Sequence, residues 1–120
     1  MRYVFCFLLG LIALTGCYFD HKDLVYPQTS CSVTGVTYSK TVTGILTNSC
    51  YSCHSGAASA GAGIRLDNYT SLKVYVTNGQ LMNSIAHTGG IPGMPLNGSQ
   101  LSSCEISTIQ AWITNGAPNN

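Results

Sequence analysis

The chain has 120 residues, six of them cysteines, and only 8% are charged, with five Lys or Arg against four Asp or Glu. That length allows one ordinary domain at most, and the charge excludes a basic nucleic-acid grip or a polybasic lipid patch. A hydrophobic content of 45% with thirteen glycines describes a small, loop-rich globule and excludes disorder or a coiled coil.

Met1-Arg2-Tyr3 precedes an apolar run from Val4 to Leu14. The run is shorter than the roughly 20 residues a spanning helix needs, so residues 1–16 read as a signal peptide. It ends Leu14-Thr15-Gly16-Cys17, which resembles the bacterial lipobox and implies that Cys17 is lipidated and heads the mature chain. The plain alternative is an uncleaved anchor, against which stands the scarcity of flanking charge. Cys6 leaves with the leader. Residues 17–30 carry acids and Pro27 with no amphipathic period and read as a tether in which His21 is solvated. The mature side chains then balance Lys22, Lys40, Arg65 and Lys73 against Asp20, Asp23, Asp67 and Glu105. The expected location is the bacterial cell envelope, lipid-anchored and facing the periplasm or the exterior. Tyr18 stands where many inner-membrane lipoproteins carry aspartate, which leans the assignment toward the outer membrane.

Ser39 is a candidate N-cap for a first helix whose apolar residues Val42, Ile45 and Leu46 fall at i, i+3 and i+4. That helix delivers Cys50-Tyr51-Ser52-Cys53-His54, a C-x-x-C-H motif. Two thiols at this spacing can add to the two vinyl groups of a haem while the next imidazole reaches the iron from the same side. Cys50 and Cys53 are therefore thioether candidates and His54 the proximal ligand. Three other readings use the same residues. A thioredoxin-like dithiol shares C-x-x-C but needs a βαβ context, and no Val/Ile-rich strand precedes Cys50. A zinc site could draw on Cys31 and Cys104 for four sulfurs, but that pair lacks the C-x-x-C spacing. A Cys50–Cys53 disulfide beside a solvated His54 is the third.

From Ser55 to Gly63 nearly every residue is Gly, Ala or Ser, which predicts a loop able to lie against a flat cofactor. Asp67 or Asn68 can cap a helix from Tyr69 to about Val76, stopped at Gly79. Leu81 to His87 predicts a short helix on which Met82 is a core residue. The following loop, His87 to Leu96, holds Met94 between Gly93 and Pro95. Proline pre-sets the backbone and glycine allows close approach, so Met94 is the candidate sixth ligand. As a plain loop methionine it would fill an apolar gap, and His87 is the rival ligand. Ser102 and Glu105 form an S-x-x-E capping box ahead of Ile106, Ile109, Trp112 and Ile113, a stripe ended by Gly116 and Pro118. Trp112 reads as core, packed on the first helix.

Residues 31–120 resemble the class I c-type cytochromes, specifically the small monohaem lipoprotein type. The resemblance rests on Cys50-Tyr51-Ser52-Cys53-His54, on Gly93-Met94-Pro95 and on the terminal Ile109 to Pro118. It implies an all-α cytochrome c-like fold of three to five short helices around one covalently bound haem c, with His54 and Met94 on the iron and one haem edge exposed. The first and last helices pack together in such a fold, which would bring Cys31 and Cys104 within disulfide reach. The bond would close a loop of roughly seventy residues and stabilise by about 4 kcal/mol on chain-entropy grounds. Two free thiols are the alternative.

With both axial positions filled, the implied activity is single-electron transfer with redox partner proteins of the envelope, not enzymatic turnover. A methionine ligand and a low-charge shell both favour ferrous haem and imply a positive potential. The lysine-rich face of mitochondrial-type members is missing, so lipid confinement takes the place of charge in partner finding. Two further classes stay open: an open-site haem peroxidase or gas sensor, if Met94 is not a ligand, and a cofactor-free lipoprotein stapled by disulfides.

Overall fold

A computed structural model describes residues 31–120, which form one compact unit. The leader at residues 1–16, the candidate lipidation site Cys17, the tether at 17–30 and His21 lie outside the described residues. Among the described residues the protein is helical and has no strand. It is all-α. No helix there is long and apolar enough to cross a membrane.

The first helix opens with a π-helical turn, Tyr38–Val42, and continues as α1, Thr43–Ser49. Ser39 does not cap it. The helix begins at Tyr38, two residues earlier than a Ser39 cap would set it, and its N-cap Thr37 makes no side-chain capping bond. Asn120 satisfies the exposed donors instead. Its side-chain Oδ1 accepts from the Tyr38 N–H at 2.9 Å and its backbone oxygen accepts from Ser39 N–H at 2.8 Å. The orphan N–H groups at a helix start need such partners, and two of them here are met by Asn120.

A break at Cys50, where φ is −129°, leads into the single turn α2, Tyr51–His54. The chain then passes through tight turns to α3, Tyr69–Thr77, whose N-cap is Asn68: its side chain accepts from the Ser71 N–H at 2.9 Å. Asp67 acts elsewhere, accepting from the Gly56 N–H at 2.8 Å and pairing with Arg65 at 3.2 Å, so it pins the turns that follow α2. α3 ends at Gly79, which takes φ +76°, a conformation L side chains adopt only with strain.

The next helix, α4, spans Gln80–Ile85 and stops short of His87. Its last carbonyls are met by a Schellman arrangement. The Thr88 N–H reaches the Asn83 carbonyl at 2.9 Å and the His87 N–H reaches that of Ser84 at 3.3 Å. The final helix, α5, spans Ser103–Thr114 behind the complete Ser102–Glu105 capping box. Gly116 at φ +90° closes it in the same manner.

Val42, Leu46, Leu72, Ile85, Ile109 and Trp112 are the largest fully buried side chains, drawn from the first helix, α3, α4 and α5. Trp112 packs on the first helix through Tyr38, the two rings stacked with centroids 5.8 Å apart. Its indole N–H donates to the Pro118 carbonyl at 2.9 Å, so the buried ring leaves no polar atom unpaired. Tyr69 meets the other side of Tyr38 edge-on at 5.2 Å and donates its hydroxyl to the Ala117 carbonyl at 2.8 Å. Lys73 reaches the Gly116 carbonyl at 2.7 Å. A disulfide joins Cys31 to Cys104, with Cα atoms 5.4 Å apart, and ties the start of the unit to the first turn of α5. Met82 is half-buried against the core.

Candidate functional site

α2 is too short to be stable alone. It is held by what surrounds it. The Cys50 N–H donates to the Leu46 carbonyl at 2.8 Å and the His54 N–H to that of Cys50 at 2.9 Å, so the C-x-x-C-H segment extends the first helix past a kink. Cys50 faces inward and is buried, whereas Cys53 is exposed, and both are free thiols. Burial, reinforced by the nearby Glu105 carboxylate, pushes the Cys50 thiol up to about 11. A thiol so placed is a poor thiolate at neutral pH.

His54 is 9% exposed, unusually buried for an imidazole in a chain this small. Its Nδ1 lies 2.9 Å from the Ile64 carbonyl oxygen. A carbonyl only accepts, so Nδ1 carries a proton, and in the neutral ring Nε2 is the nitrogen with the free lone pair. The close approach depends on Gly61. A Cβ there would collide with the His54 ring, at 2.8 Å from Cε1, and with the Cys53 carbonyl oxygen at 2.6 Å. The Gly/Ala/Ser loop therefore provides the space the ring occupies. It also bends sharply, with Ala58 and Ala62 at φ +49° and +54°.

These residues face a cavity of about 500 Å³, within the range of small-molecule and cofactor sites. Cys50, Cys53 and His54 line one part of it, Leu81, Ser84 and Ile85 of α4 another, and the loop from Ile91 to Leu96 a third. Met94 is half-buried in that loop and lines the same cavity. Leu96, on the same loop, is 66% exposed, so an apolar side chain lies at the mouth.

The structure thus brings Cys50, Cys53, His54 and Met94 to one space. His87 is exposed and does not line it; its Nε2 lies 3.2 Å from the Met94 carbonyl oxygen. Cys31 and Cys104 are consumed by their own bond, so they cannot complete a four-sulfur zinc set. Among the described residues no three His, Cys, Asp or Glu side chains are grouped to hold a metal ion. The contributions of Ile64, Gly61 and Ser84 escaped sequence reasoning. Gly61 alone carried a signal, as one of several small residues following the motif.

The donor set and the cavity suit a haem. The imidazole is oriented and buried with one ring nitrogen free, a thioether lines the same space, two thiols sit beside the imidazole, and aliphatic side chains form the walls. No protein family, curated protein or solved structure matches the chain.

Proposed function

We propose that residues 31–120 hold one haem c, attached through Cys50 and Cys53 with His54 and Met94 as axial ligands, and act as a single-electron carrier. On this reading the unit has a cytochrome c-like fold and is tethered through lipidated Cys17 in the bacterial cell envelope. The observation that carries it is the convergence of Cys50, Cys53, His54 and Met94 on one cavity, with His54 already oriented by the Ile64 carbonyl. When bound, the haem supplies a one-electron ferric/ferrous couple.

The chain's own residues do the rest. The Nδ1–H to carbonyl bond fixes the imidazole plane and makes Nε2 a stronger donor, as outer-shell partners do for ligating histidines. Leu81, Ile85, Ile64 and Leu66 keep water from the cavity walls. Exposed Leu96 leaves an apolar rim for brief contact with another redox protein, in a chain whose net charge of +1 gives little long-range steering.

The test is export in a host that attaches haem to C-x-x-C-H motifs. The expected product is coloured, keeps its haem through denaturing electrophoresis and gains the mass of one haem, and it loses all three properties when Cys50 and Cys53 are both changed to Ala. Ferric protein should show the far-red band of methionine–iron ligation, and Met94→Ala should abolish it and admit carbon monoxide to the ferrous form. A colourless product defeats the proposal. Parent protein that binds carbon monoxide readily and lacks the band would assign the site to peroxidase or gas-sensing chemistry.

A further inference from the structure

Met94 is gripped at both of its backbone polar groups by the end of α4. Its N–H donates to the Ser84 carbonyl at 2.9 Å, and its carbonyl accepts from His87 Nε2 at 3.2 Å. His87 is the first residue past the helix C-cap Ala86 and takes φ +53°. Glycine is the usual occupant of that position because an L side chain there is strained. A chain that puts glycine at the matching positions after α3 and α5, Gly79 and Gly116, puts a histidine here. The ring accounts for the exception. It lies flat enough on Gly93 that a Cβ at that residue would stand 2.7 Å from both Cγ and Cδ2 of the imidazole. His87 thus contacts the residue before Met94 and hydrogen-bonds Met94 itself, without lining the cavity.

We propose that His87 is a positioning residue, a latch that fixes the backbone of Met94 so that its thioether is presented to the cavity. The latch deepens the electron-carrier reading and rests on it only for what the thioether then binds; the grip on the loop stands without it. A residue kept merely to end α4 would be replaced by glycine at no loss, since glycine terminates helices more cheaply. A latch would not.

The experiment is residue-resolved amide hydrogen exchange on the full exported chain, comparing parent, His87→Gly and Gly93→Ala. Gly93 has no positive φ, and the three atoms nearest an added Cβ all belong to the His87 ring, so alanine there acts first on that ring. Both variants should speed exchange at the Met94 amide by about tenfold, the worth of one ordinary hydrogen bond, and leave Ile109 and Trp112 in α5 unchanged. In coloured protein both should also weaken the far-red methionine band and quicken carbon monoxide binding to the ferrous form. Unchanged Met94 exchange in both variants overturns the latch. So does parent protein without the methionine band whose iron becomes open only in His87→Gly, because His87 is then the ligand itself. A colourless chain defeats the haem reading, and the exchange arm still decides the latch.

Discussion

Gly61→Ala isolates the packing on which His54 depends. The added methyl would meet the Cys53 carbonyl oxygen at 2.6 Å and His54 Cε1 at 2.8 Å, and would overlap Nδ1. The Cys53 contact is backbone, which no ring movement relieves, so the loop at Gly61 and the imidazole must shift together, and the Nδ1–H then leaves the Ile64 carbonyl now 2.9 Å away. Overpacking of this kind costs about 1–3 kcal/mol, and a buried ring N–H without an acceptor costs about 1–3 kcal/mol more. At about 4–8 °C per kcal/mol for a domain of this size, Tm should fall on the order of 10–50 °C. Gly44→Ala is the control. Gly44 lies in α1 with nothing near its would-be Cβ, so alanine there should raise stability by about 0.5–1 kcal/mol. Both variants can be followed by far-UV circular dichroism during thermal melting. A Gly61→Ala chain that melts within about 3 °C of its parent, less than 1 kcal/mol can produce, would refute the close-packed account of the histidine.

Two further outcomes follow from bonds at the periphery. Opening the Cys31–Cys104 bond, by reduction or by changing both residues to Ser, frees a sequence separation of 73 and should cost about 4 kcal/mol; a denaturant midpoint that does not move under reduction would contradict this. The Gly56 N–H, and then Arg65, hold the Asp67 carboxyl below its ordinary value. A carboxylate depressed in the folded chain contributes stability that is present above its unfolded pKa and lost as the pH falls through the folded one. Stability of the parent should therefore decline on acidification below the ordinary carboxylate range, and Asp67→Asn should flatten that part of the curve. Identical acid limbs for the two chains would remove Asp67 from the account.

Local chemistry was legible where the partners are close in sequence. The Ser102–Glu105 capping box predicts the start of α5 to the residue, because both of its hydrogen bonds span three positions. Gly79 and Gly116 mark helix ends because only a residue tolerant of positive φ stops a helix there without strain. The start of the first helix misled for the opposite reason: Ser39 has a capping side chain, but the donors are satisfied by Asn120, which no local pattern reveals. The extent of α4 misled in a similar way, since His87 continues the helical composition while its backbone has already turned left-handed. At the candidate site the motif names Cys50, Cys53 and His54, but the acceptor that orients His54 and the glycine that makes room for it lie in a loop whose composition is nearly uniform. Only the folded chain singles out Gly61 and Ile64 from their neighbours.

The hold of Asn120 on Tyr38 and Ser39 ties residues distant in sequence to the helix that carries Cys50. Trp112 stacks on the same Tyr38, so the start of that helix is clasped both by α5 and by the segment that follows it. Removing Asn120 would bare two helix N–H groups at once, and the loosening would be felt along the helix that leads into the Cys50–His54 turn.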